Sequence, residues 1–126
     1  MYVTSHISKF EFKTKVLKTP NEIRLGMMGK RFNGAFDALL FLMNRAESTF
    51  WMKNCIVPLD VVFINNGIIT KIHHNCPPCA TATATSECVT YPGVGNLVME
   101  LPGGECKRLR IRAGTRVSFT ALNPSN

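Results

Sequence analysis

Phe50-Trp51-Met52-Lys53-Asn54-Cys55-Ile56-Val57-Pro58-Leu59-Asp60 runs directly into Val61-Val62-Phe63-Ile64, and the reading of these fifteen residues decides the fold. The second part is a short apolar run rich in β-branched residues, the pattern of a buried strand. The first part holds the only tryptophan and two isolated charges, Lys53 and Asp60, on either side of a bend at Pro58. A charge beside buried strands costs several kcal/mol unless it is paired or hydrogen-bonded. Lys53 and Asp60 are therefore expected to have specific partners. Trp51, Lys53, Asn54 and Asp60, together with Tyr91, are read as a structural network that pins the bend rather than as catalytic groups.

Outward from this stretch the chain reads as short strands. Ser8 to Lys18 alternates, with Phe10, Phe12, Thr14 and Val16 on one face and Glu11, Lys13 and Lys15 on the other,. Thr19-Pro20-Asn21-Glu22 is a capping box with proline at the first helical position, so a short helix starts there. Ile23, Met27 and Met28 share its face, and Gly26 and Gly29 keep it short. Phe32 to Ala35 reads as a turn, Ala38 to Met43 as a strand, and Thr49 to Lys53 as a strand pairing with its neighbours. Asn65-Asn66-Gly67 between Leu59–Ile64 and Ile68–Ile72 predicts a hairpin, because both central residues tolerate positive φ. His73 to Tyr91 reads as a long loop. Asn96 to Leu101 is a further strand, broken by Pro102-Gly103-Gly104. Leu109 and Ile111 then alternate with Arg108, Arg110 and Arg112, and Arg116 to Ala121 closes the fold. Many short strands with one helix predict a mainly-β domain over 1–126, a jelly-roll-like sandwich or barrel with one short N-terminal helix.

The stretch Phe50–Asp60, written FWMKNxxxPLD, resembles the signature of the prokaryotic and phage family of domain of unknown function 192. Gly26-Met27-Met28 resembles that family's Gly-Leu-Met helix, Ala38–Met43 its Met-Leu-Phe segment, and Leu97-Val98-Met99-Glu100-Leu101 its Val-Leu-Glu-Leu segment. Tyr91 matches a tyrosine that follows the family's loop. The resemblance runs from about Arg24 to Phe119 and implies a jelly-roll-like sandwich. It departs at Gly114-Thr115, where the family usually carries Gly-Asp. The loop variant Asn75-Cys76-Pro77-Pro78-Cys79 is similar to that of phage-encoded copies.

The formal charge is +7. Its placement says more than its sum, because basic residues crowd both ends and Lys71 stands alone between Asn54 and Cys106. If the terminal strands are neighbours, Lys13, Lys15, Arg108, Arg110 and Arg112 form one basic face for an acidic protein surface or an assembly lattice. Nucleic acid is the less favoured partner, because no aromatics interleave with these charges. No run approaches the roughly 18 apolar residues that span a bilayer, so no membrane is expected. The first residues lack a basic region followed by an apolar one, so synthesis in a reducing cytoplasm is expected.

His73-His74-Asn75-Cys76-Pro77-Pro78-Cys79, followed by Cys88 and Cys106, allows two readings. Cys76 and Cys79 have the spacing of a zinc knuckle, with Cys88 and Cys106, or His73 and His74, completing a tetrahedral site. Alternatively they are small buried thiols under a loop, able to pair in an oxidising setting. Redox catalysis of the thioredoxin kind is rejected, since the alternating Ala and Thr after Cys79 start helices poorly. No phosphate loop, Ser-His-Asp ordering or H-E-x-x-H is present. The expectation is thus a non-catalytic interaction or assembly module, most concretely a small virion-associated structural protein of a phage, oligomeric or bound to a larger particle. The alternative is a zinc-binding or small-ligand or sugar-binding domain.

Overall fold

A computed structural model describes residues 1–80 and 82–122; Thr81, within the Ala-Thr run, and residues 123–126 lie outside the described residues. The elements in order are β1 (Tyr2–Ile7), β2 (Phe10–Leu17), α1 (Pro20–Leu25), β3 (Ala38–Leu42), β4 (Glu47–Trp51), β5 (Leu59–Asn65), β6 (Ile68–Cys76), β7 (Thr90–Val94), β8 (Leu97–Pro102), α2 (Glu105–Leu109) and β9 (Val117–Ala121). Seven strands form one sheet in the order β6-β5-β8-β3-β2-β1-β9, and β4 and β7 form a separate ribbon. Only β2 and β3 run parallel. The two ends of the long sheet meet. Ile68 bridges Arg116, the Val117 amide donates to Gly67 O (2.8 Å), and the Ile69 amide donates to Thr115 O (2.9 Å). The sheet therefore curls into a barrel, which removes most of its exposed edge. Of the mainly-β sandwich or barrel expected from the sequence, the barrel form is observed.

The hairpin at Asn66-Gly67 has φ of 52° and 76° at its two central residues, as that dipeptide predicts,. The capping box is also present, with Glu22 N donating to Thr19 Oγ1 and Thr19 N donating to Glu22 Oε1. The Thr19 and Lys18 amides, both donating to Glu22 Oε1, stabilise the carboxylate and lower the Glu22 pKa,.

Strand β5 is buried on both faces and divides two cores. Val62 and Ile64 point into the barrel with Phe12, Val16, Leu40, Met99 and Val117. Leu59, Val61 and Phe63 point outward, beneath α1 and the β4–β7 ribbon, with Met27, Phe41, Met52 and Val98. Phe50 of the ribbon meets Phe41 and Phe63 edge-on, with centroids 5.0 and 5.9 Å apart. Gly93 of β7 lies on Phe63, where a Cβ would overlap the ring.

Three expectations are corrected. β1 precedes the first anticipated strand, folding back at Ser8, which takes φ 55°. The segment at 49–53 pairs with β7 rather than with its sequence neighbours, forming the ribbon over the outer core. The alternation at 108–112 is helical in its first part: α2 is a second helix, with Cys106 and Leu109, three residues apart, turned to the barrel core,. Asp60 causes it, as described next.

Candidate functional site

Asp60 has no exposure at all and points to the barrel side of β5. Its Oδ1 accepts from the amides of Asn75 (2.7 Å) and Gly104 (2.9 Å), and its Oδ2 from the amide of Cys106 (2.8 Å). The carboxylate thus fastens the end of β6 and caps α2, supplying acceptors that a five-residue helix cannot provide for itself,. This is the partner set that a charge at that position required. Lys53 faces elsewhere. Its ammonium donates to Ala80 O (3.2 Å) and Thr83 O, and its backbone bridges Cys79. Asn54 takes φ 64°, accepts from the Gly29 amide and donates to Cys79 O, while its Oδ1 is buried with no hydrogen-bond partner among the described residues. Tyr91 lies opposite Phe50 and against His73, with ring centroids 5.3 Å apart. Its phenol pKa is raised by burial and by Cys76. Lys53, Asn54 and Tyr91 therefore pin the ribbon and its loop, and Asp60 pins the barrel end. They do not converge.

Between α1, the ribbon and the outer face of the barrel is a pocket of about 200 Å³. Phe41, Phe50, Trp51, Met27 and Met43 are among its walls, and Lys53 reaches it. Trp51 is 38% exposed, so the single tryptophan stands at the rim rather than at a buried hub. Glu100 lies at the inner end. It is 3% exposed, and its Oε1 has no hydrogen-bond partner among the described residues. Burial pushes its pKa up to about 8, so the group is a neutral carboxylic acid at pH 7,. Cys55 also lines the pocket, with its thiol pKa raised to about 12 by burial and by Glu100. A protonated carboxyl can both donate and accept a hydrogen bond. The pocket therefore offers a buried polar anchor at its inner end among aromatic and thioether walls, with Arg24, Thr49 and Lys53 also bordering it.

Sequence reasoning did not select Glu100. The available signal was a single acid inside Leu97–Leu101, a strand whose alternate residues are apolar on both faces. Strand β8 lies between β5 and β3, and the layer packed over its outer face buries the acid.

The family of domain of unknown function 192, described as "Uncharacterized ACR", matches residues 2–119. The chain belongs to the DUF192 family. The match begins at β1, well before the resemblance read from residue 24. A crystal structure from Sinorhizobium meliloti, described as a candidate transcription regulator, shares 25% identity and a TM-score of 0.78, with 94% of each chain covered. One from Novosphingobium aromaticivorans, described as a protein of unknown function, shares 27% identity and a TM-score of 0.76 over 94% of this chain and 84% of its own. No curated protein matches the chain.

In this DUF192 chain the four cysteines proposed for zinc are not one cluster. Cys79 and Cys88 are joined in a disulfide, so neither offers a thiolate. Cys76 belongs to the outer core and Cys106 to the barrel core, on opposite sides of the sheet. Burial raises both thiols, Cys76 to about 11, which opposes the deprotonation that metal ligation needs,. His73 donates to Pro92 O (2.7 Å) instead. Among the described residues no group of three or more His, Cys, Asp or Glu could hold a metal ion, so the donor set does not fit zinc. Among the described residues no helix is long and apolar enough to cross a membrane.

The basic residues are also divided. β1 and β9 are neighbours as expected, but Arg108, Arg110 and Arg112 lie on α2 and the turn after it. Lys13 sits on β2, with its ammonium 5.3 Å from the Tyr2 ring centroid, and Lys15 lies two residues along the same strand. Arg108 pairs with Glu105 (2.7 Å) beside β2, while Arg110 and Arg112 border β6 at the other end of the sheet order. The five residues expected on one face are thus spread over β2, α2 and the turn after it.

Proposed function

We propose that this DUF192 domain is a non-catalytic binding module for a small neutral ligand bearing hydroxyl or amide groups, of monosaccharide size. The observation that carries the reading is Glu100, a buried carboxyl with an unpartnered oxygen at the inner end of an aromatic-walled pocket. Burying such a group costs about 1–3 kcal/mol unless something bonds to it, and an incoming hydroxyl or amide removes that cost. At about 200 Å³ the pocket is smaller than the roughly 300–1,000 Å³ of sites for drug-sized molecules, which sets the size of the occupant,. Lys53 is already held by carbonyls and Asp60 by three amides, which argues against an acid–base pair at the pocket,. We rank this reading above assembly in a particle, because that reading rests on charge placement and on the similarity of one loop to phage-encoded copies, with no site geometry behind it. The Cys79–Cys88 disulfide supports an oxidising setting for the mature protein,. The Sinorhizobium protein's description finds no support here from a recognition helix, since α1 and α2 have six and five residues and such a helix must lie along a groove,.

Trp51 at the rim makes the test direct. Glucose, galactose and N-acetylglucosamine are titrated at pH 7 while its emission is followed. At least one should give a saturable change that is lost in Glu100→Leu and kept in Glu100→Gln, which preserves a neutral hydrogen-bonding group. No saturation with any of the three, or an undiminished response in folded Glu100→Leu, overturns the reading.

A further inference from the structure

We propose that a second site, independent of the Glu100 pocket, lies between β6 and the segment that follows α2, and that its ligand is a small oligophosphate. The groove there measures about 440 Å³. Lys71 and His74 border it from β6, and Lys107, Arg110 and Arg112 from the α2 side. No acid lines it. The ion pairs among the described residues are His6–Glu11 and Arg108–Glu105, so none of the groove's cations is paired with an acid among them. Four permanent like charges around one concavity repel by some tenths of a kcal/mol per pair even in water, a cost that a multivalent anion reverses.

The backbone adds a separate observation. Arg110 ends α2 in the left-handed region at φ 59°, with its amide donating to Lys107 O (3.2 Å). Glycine or asparagine is the residue that this position favours, and an arginine there costs about 1 kcal/mol or more. The chain thus keeps a guanidinium at a strained position on the rim of the groove. Two planar guanidiniums offer forked donors to phosphoryl oxygens, and two ammoniums add compact charge.

A compact ligand fits better than a polymer. The lining holds no Phe, Tyr or Trp ring, and the imidazole of His74 is its single aromatic, too little for a run of unpaired bases to stack on,. α2 is also too short to enter a duplex groove,.

The experiment is calorimetric titration of the full chain with sodium tripolyphosphate at low salt, beside a short single-stranded oligonucleotide. Tripolyphosphate should saturate one site per chain. K71Q/R112Q, at two exposed residues on different elements, should weaken it at least about tenfold. K9Q/K18Q removes the same charge from exposed residues outside the groove and should change affinity less than about twofold. Arg110 is spared because its strained backbone would confuse folding with binding. Absence of saturation overturns the site, as does equal weakening in both double variants. Tighter binding of the oligonucleotide through the same two residues overturns the ligand class in favour of nucleic acid.

Discussion

Glu100 couples the fold to pH in a direction opposite to most carboxylates. Its pKa rises from 4.5 to about 8 on burial, so between those values the folded chain holds a proton that the unfolded chain has released. Stability is full below about pH 4.5 and falls by about 1.4 kcal/mol per pH unit up to about pH 8,. Among the described residues, no other group with a resolved shift titrates in that window, since Glu22 moves down and the thiols and Tyr91 move up. Glu100→Gln should therefore flatten the slope and melt higher than the parent at pH 8.5, with little change at pH 4.5. Thermal melts across that range decide it, and an unchanged slope in the variant would assign the effect to another group. Asp60 is buried too, but both its oxygens are hydrogen-bonded. Asp60→Ala leaves three amides without their acceptor, each costing about 1–3 kcal/mol, so a loss of about 3–5 kcal/mol is expected in urea denaturation,. A loss below about 1 kcal/mol would show that water replaces the carboxylate. Asp60 was legible in the sequence as a charge that had to be satisfied, because it stood at the entry to a β-branched run. Glu100 was not, because a lone acid in an alternating strand looks the same whether its outer face meets solvent or a second layer.

Elements with local causes were readable and those with distant causes were not. α1 declares itself through Thr19, Pro20 and Glu22 within one turn. α2 depends on a carboxylate 44 residues before Gly104, and without it the alternating arginines imitate a strand. The loop between β6 and β7 is a similar case. The spacing left a zinc knuckle and buried thiols able to pair both open and named no pair; only the fold brings Cys79 and Cys88 together while parting Cys76 from Cys106. That disulfide closes a short ring that includes both carbonyls holding Lys53. Closing a ring of this size is worth about 2–3 kcal/mol by chain entropy,. Reduction should therefore lower stability by that amount in urea titrations. It should also release the Lys53 ammonium beside the pocket and shift the Trp51 emission of the still-folded protein. Identical stability and emission with and without reductant would mean that hydrogen bonds alone hold the loop.

At the scale of the molecule, the barrel class followed from the rhythm of short strands, but its order did not. The parallel pairing of β2 with β3 and the displacement of β4 and β7 into a ribbon are choices between long-range partners, which local pattern leaves equal. What joins ribbon and barrel is β5, where Val61 and Val62 are both fully buried yet face different cores. Two cores sharing one central strand cannot lose their packing separately without exposing that strand on one side. Val61→Ala and Val62→Ala should each cost about 1–3 kcal/mol, and each should shift one common transition. Trp51 emission reports the ribbon, while far-ultraviolet circular dichroism is dominated by the barrel strands, so the two probes can be compared in a single denaturant titration. Coincident curves in both variants are expected for one cooperative unit. If Val61→Ala moves the tryptophan transition ahead of the dichroism while Val62→Ala does not, the ribbon is a separately melting layer and the pocket it covers opens without unfolding the barrel.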